Sequence, residues 1–226
     1  NPILRDCTFV GNAAGSGGAI YSYNDSALDM ENCIFIDNYA KTGGGVTYNA
    51  SGSLSLLTRC RFSHNRANGG GAILSSTDSH TTLSECLFEW NKAERGGAIY
   101  TRGSCTLLNC TIVGNEAIEL GGGLYMSRGG NLNVCNCTLV ANTADQGSAL
   151  ASYTWRPEHP LNSATLHNSI LRNNGNEIWN SDGSEIEIAY CNLPTGPNTI
   201  IDPCNAVALV PKQAYPGSPP RQVLVG

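Results

Sequence analysis

The stretch Cys86-Leu-Phe-Glu-Trp-Asn-Lys-Ala-Glu-Arg-Gly-Gly-Ala-Ile99 decides the fold, because its skeleton is written six times along the chain. Reduced to Cys-x-Phe-x-x-Asn followed by Gly-Gly-Ala-Ile, it stands unchanged at Cys7-Phe9-Asn12-Gly17-Gly18-Ala19-Ile20 and at Cys60-Phe62-Asn65-Gly70-Gly71-Ala72-Ile73. Altered copies follow at Cys33-Phe35-Asn38-Gly43-Gly44-Gly45-Val46, Cys110-Ile112-Asn115-Gly121-Gly122-Gly123-Leu124 and Cys137-Leu139-Asn142-Gly147-Ser148-Ala149-Leu150. Successive Cys positions are separated by 26, 27, 26, 24 and 27 residues. A fixed period of this length is the mark of a repeat architecture.

Within each repeat the apolar residues alternate. Leu4, Met30, Leu57, Leu83, Leu107 and Val134 stand three residues before the Cys column. Leu28, Cys105 and Leu132 stand five before it, with the smaller Ser55 and Thr81. Period two is strand periodicity, and no window sustains the 3.6-residue period of a helix. A repeat of about 26 residues cannot bury its own apolar side, but copies stacked on one another can. The expected fold is therefore all-β: a parallel β-solenoid whose coils lie about 4.8 Å apart, with Cys and Phe inside. The Asn column is expected at a turn, where its amides can bond from coil to coil. The paired glycines are expected at a sharp corner.

Phe-x-x-Asn with Gly-Gly-Ala-Ile/Leu/Val resembles the repeats of the polymorphic outer-membrane proteins and related right-handed parallel β-helix surface proteins, over roughly residues 1 to 150. The resemblance implies a right-handed β-helix and a place at the cell surface. It does not by itself imply one activity, since such solenoids serve as adhesins, stalks and surface layers, and the β-helix also carries polysaccharide-cleaving enzymes.

After Leu150 the pattern loosens. Trp155-Arg-Pro-Glu-His-Pro160 reads as a Pro-bounded insertion, expected to protrude. Asn168-Ser-Ile170-Leu-Arg-Asn173 is read as a further copy with Asn168 at the Cys position. Cys191-Asn-Leu193 is read as another, giving about eight coils. Residues 1–210 are expected to form one β-helix domain, regular to 150 and loosened from 151. Pro211, Pro216, Pro219 and Pro220 make 211–226 an irregular tail or linker. The chain carries no initiator Met and no signal peptide, so it is expected to be a mature or excised piece. The first coil begins almost at residue 1, so its open edge is expected to be covered by further chain or by another molecule. Gln222, Val223, Leu224 and Val225 form an apolar segment that could add a strand to a neighbour.

Composition narrows the function classes. Charged residues make up 14% of the chain and the net charge is -5, leaving no basic stripe for nucleic acid. No run of 18 apolar residues is present, so no helical membrane span is expected. Ten cysteines point to an extracellular setting, yet a column need not be a set of pairs. The column reads as buried thiols or as a disulfide ladder, and Cys191 with Cys204 is the favoured bridge. Cys135-Asn-Cys137 is the one close Cys pair, which is poor metal-site spacing. The glycine corners also lack the Asp that nonapeptide calcium turns need. No cofactor or metal is expected.

Three outward groups are the candidate binding surfaces. The outer side of the Cys-x-Phe strand carries Ile34, Ile36, Val113, Val140 and Leu171, more apolar than a solvated face requires. Tyr21, Tyr100 and Tyr125 share a column that could stack on sugars. Asn24, Asn49, Asn109 and Asn136 begin Asn-x-Ser/Thr glycosylation sequons. Asp37 and His64 are neighbours on adjacent coils, but no pair of carboxylates suited to glycoside hydrolysis accompanies them. The expected function is non-catalytic: an extracellular structural or adhesive module, self-assembling head to tail into filaments or layers. Its expected partners are copies of itself or other surface proteins. The alternatives are a polysaccharide lyase or hydrolase, or a non-catalytic carbohydrate-binding module.

Overall fold

The computed structural model describes residues 2–173, 176–194 and the backbone of 207–209. Each repeat is one turn of a parallel β-solenoid with three short strands in three long sheets, and four turns add a fourth short strand, paired as Ala13–Ala14 with Tyr39–Ala40 and as Lys92–Arg95 with Glu116–Leu120. The first sheet runs from Ile3–Arg5 through Ala27–Glu31, Leu54–Thr58, His80–Ser84, Ser104–Leu108, Asn131–Cys135 and Ser163–His167 to Glu185–Ala189. The second stacks the Cys-x-Phe strands, from Thr8–Val10 to Ile170–Arg172, and the third those after the glycine pair, from Ile20–Ser22 to Ile178–Asn180. The second and third sheets have seven strands each, so the described residues complete seven turns rather than eight; Glu185–Ala189 opens the next. Val207–Leu209 pairs antiparallel with Glu185–Ala189, which ends the parallel order of the first sheet.

Register follows the repeat letter by letter. Phe35 lies opposite Phe9 and Phe62, and Phe62 opposite Phe88. Their rings stack with centroids 5.0, 5.1 and 4.5 Å apart, near the coil spacing and within the range of favourable offset stacking. Ile112, Leu139 and Leu171 continue this column. Met30, Leu57, Leu83, Leu107 and Val134 are fully buried beside it. A one-residue slip would turn every such side chain to solvent, so the buried face fixes the register.

Corners need unusual backbone. The residue before each Cys position is left-handed, at Asp6, Asn32, Arg59, Glu85, Asn109, Asn136, Asn168 and Tyr190. A second left-handed column follows the Phe strand, at Gly11, Asp37, His64, Trp90, Gly114 and Ala141. The glycine pair serves a tighter corner. A Cβ on Gly70, whose φ is +66°, would lie 2.0 Å from the Ile73 carbonyl oxygen, and one on Gly71 2.0 Å from that of Gly97. No larger residue fits there without moving backbone.

The seventh copy corrects the sequence reading. Ser169, not Asn168, is in register with Cys137, and Leu171, not Ile170, fills the Phe position. One residue is missing before Asn173, so matching the motif backward from that Asn shifts the frame. Leu171 is accordingly fully buried and belongs to no outward face, whereas Ile170 is outside. The Ser169 hydroxyl also takes over the hydrogen bonds of the missing thiol. Cys137 N–H donates to it at 3.1 Å and it donates to the His167 carbonyl at 2.8 Å.

Candidate functional surfaces

Two internal columns carry the polar chemistry. Asn12, Asn38, Asn65, Asn91, Asn115, Asn142 and Asn173 form a continuous amide ladder. Each donates from its backbone N–H and its Nδ2 to the Oδ1 of the next, at 2.7–3.0 Å. From Asn38 onward the second Nδ2 proton goes to the carbonyl of the Phe-column residue one coil earlier, as in Asn91 to Phe62 at 3.0 Å. The ladder ends on an anion. Asn173 donates from N and Nδ2 to the buried Glu177 carboxylate, both at 2.6 Å. An ionised acceptor roughly doubles the strength of such bonds.

The Cys column is a stack of thiols. All nine cysteines among the described residues are free, and the column members Cys33, Cys60, Cys86, Cys110 and Cys137 are buried. Each column thiol bonds a carbonyl two residues back and, from Cys33 on, one in the previous coil; Cys86 reaches Ser84 O at 3.3 Å and Leu57 O at 3.5 Å. Neighbouring column thiols also perturb one another's acidity. Cys60 is lowered chiefly by the Cys86 thiol and Cys110 by that of Cys137, while Cys86 and Cys137 are raised chiefly by Cys110. Cys105, off the column and wholly enclosed, is pushed up to about 12 by burial. Cys191 joins the column as a half-buried thiol bonded to Leu166 O at 3.3 Å. Its suggested mate Cys204 lies outside the described residues, as do Gln222, Val223, Leu224 and Val225.

The outward surfaces only partly match expectation. Ile34, Ile36, Val113 and Val140 are half-buried and face out from the second sheet, joined by exposed Val10 and Ile170. They do not form one strip. The Arg61–Glu89 ion pair crosses the middle coils and divides an apolar patch near Val10 and Ile36 from another near Val113 and Ile170.

The Tyr column is mostly closed. Tyr21 is 52% exposed, but Tyr100 and Tyr125 are 6% and 3% exposed and pack with Leu74, Leu120 and Ala151 in a second, outer core. The Tyr100 ring lies against Gly69, within 2.9 Å of where a Cβ would stand. Its hydroxyl is shared with Ser127 and Arg102, and the Tyr125 hydroxyl donates to Tyr153 O. These two rings cannot present a flat surface to sugars, because neighbouring coils already cover them.

Asn24, Asn109 and Asn136 are exposed left-handed turn residues, as accessible sequons require. Asn49 is fully buried and donates to Thr81 Oγ1 at 3.0 Å, so its amide is inaccessible to a glycan. Asp37 and His64 are both exposed on the second left-handed column, and His64 is bonded to its own neighbour Ser63 at 2.8 Å. Among the described residues, no group of three or more His, Cys, Asp or Glu is placed to hold a metal ion, and no helix is long and apolar enough to cross a membrane. A groove beside Tyr39, Arg66 and Lys92 went unread in the sequence, because its letters change from coil to coil.

The fold and its columns define a parallel β-solenoid with an asparagine ladder. Residues 18–193 match the family described as right handed beta helix region, and the chain belongs to that family. Residues 6–23 additionally match the Chlamydia polymorphic membrane protein repeat, so the first coil is similar to the repeats of those proteins. Neither the curated proteins nor the solved structures gave a match.

Proposed function

We propose that the chain is a non-catalytic, extracellular structural or adhesive module that associates with copies of itself or with other surface proteins. The supporting observation is the first coil, whose Asp6-to-Tyr23 sequence matches a membrane-protein repeat and whose three strands are continued in the three long sheets through the following turns. A stack of identical coils makes a stiff spacer, since each coil contacts only its neighbours and adds length without a hinge. The divided apolar patches around Val10 and Val113 are suited to weak, repeated contacts rather than to one large interface. Light scattering over a concentration series, with negative-stain electron microscopy, tests self-association. Filaments, layers or a rising mass support it, and a monodisperse monomer at high concentration contradicts it.

A further inference from the structure

Between the ladder Asn and the glycine pair, the second to fifth coils carry two outward positions separated by a buried alanine, Ala40, Ala67, Ala93 or Ala117. In neighbouring coils these are Tyr39, Arg66 and Lys92 on one side and Lys41, Asn68 and Glu94 on the other, with buried Ala67 and Ala93 between. They line a groove of about 420 Å³ crossing successive coils. Its charge is unbalanced. Lys92 is paired with Glu116 at 2.6 Å, and Glu94, the carboxylate of the lining, is held by Asn68 and Arg95. Lys41 and Arg66 make no ion pair among the described residues. Asp37, the exposed acid of the adjoining turn, does not line the groove.

We propose that this groove binds a linear acidic polysaccharide, with Lys41 and Arg66 holding its carboxylate or sulfate groups and Tyr39 stacking on a sugar face. Tyr39 is 46% exposed, enough to offer its ring. Coils about 4.8 Å apart bring a fresh side chain to each successive sugar of an extended chain. The guanidinium fork of Arg66 matches a planar carboxylate or a sulfate edge. An acidic peptide fits less well, because the groove offers no free main chain for strand addition. Tyr39 N–H is spent on Asn12 O at 2.8 Å, Ala40 N–H on Arg66 O at 2.9 Å and Lys92 N–H on Asn65 O at 2.9 Å. Since the whole chain has a net charge of -5, attraction of a polyanion has to come from such a local patch.

Isothermal titration of the full chain with four probes tests the proposal: alginate oligosaccharides, dextran sulfate oligosaccharides, neutral dextran and poly-L-glutamate. Saturable binding of alginate or dextran sulfate, without binding of dextran, is expected; which acid binds tells carboxylate from sulfate. The Lys41→Ala, Arg66→Ala double variant should weaken binding at least about tenfold, as loss of charge-assisted bonds implies. An Arg128→Ala, Arg156→Ala variant removes the same charge beside Trp155 and should change affinity less than about twofold. Unchanged thermal midpoints certify that both variants are folded; should the Lys41, Arg66 variant not fold, Arg66→Gln alone is measured in its place. Failure of both acidic polysaccharides to bind, equal weakening by the two double variants, or equally tight binding of poly-L-glutamate would overturn the assignment. The inference does not depend on self-association, which is read separately by scattering.

Discussion

Asn91 shows how much one residue carries. It is fully buried, accepts from Asn65 N and Nδ2, and donates to Asn115 Oδ1 and Phe62 O. Asn91→Ala leaves the Asn65 backbone N–H and one Asn65 Nδ2 proton without their acceptor and removes the side-chain bond to the Phe62 carbonyl. Each orphaned buried group costs about 1–3 kcal/mol, so a loss of about 2 kcal/mol or more is expected in urea unfolding. Asn12→Ala, at the exposed start of the ladder, should cost under about 1 kcal/mol. A second prediction concerns pH. Burial raises Cys105 to about 12 and raises Tyr125 as well, so both stay protonated in the folded chain where they ionise in the unfolded one. Their stabilising effect is complete below about pH 8.5 and, for Cys105, is lost as pH rises to about 12. The unfolding free energy from denaturant titration should fall in that range by on the order of 1 kcal/mol per pH unit for Cys105, with Tyr125 adding to the fall only above about pH 10, and Cys105→Val should flatten the slope.

At the scale of the element, corners rather than strands are the fragile parts. Gly97→Ala drives a Cβ to 2.1 Å from the Gly122 carbonyl oxygen. Such a backbone clash should cost about 3 kcal/mol or more, whereas Gly15→Ala meets nothing within 4 Å and should be nearly neutral. Ala141 occupies, at φ +54°, a left-handed turn that Gly11 and Gly114 fill in other coils. Ala141→Gly should therefore stabilise the protein by up to about 1 kcal/mol, read as a raised thermal midpoint. The same corners explain what the letters conveyed. Cys-x-Phe-x-x-Asn and the glycine pair were legible because a column admits few substitutes once stacked. Leu171 was misplaced because Ser169 replaces Cys and the turn before Asn173 is one residue short. Tyr100 and Tyr125 were misplaced because alternation tells which way a side chain leaves the sheet. It does not tell that Gly69 and Leu120 of neighbouring turns leave room for an outer core to close over those rings. The Lys41–Arg66 groove was illegible for a related reason: it is a property of three coils together.

On the scale of the whole molecule, the repeat behaves as a unit of length. Every described column is continued by residues 24 to 27 positions away through the first six coils, so a coil is interchangeable with its neighbour. Stability should then be close to a sum of coil terms and nearest-neighbour interfaces. The thermal midpoint of a variant lacking residues 60–85 tests this most directly, compared with one lacking 60–72. The first removes one coil and sets Phe35 against Phe88 with the ladder rejoined from Asn38 to Asn91. It is predicted to unfold cooperatively within a few degrees of the parent, while the half-coil deletion, which turns each following column to the wrong sheet, fails to fold. Loss of folding on removing the whole coil, or a native midpoint after removing half of one, would contradict the account.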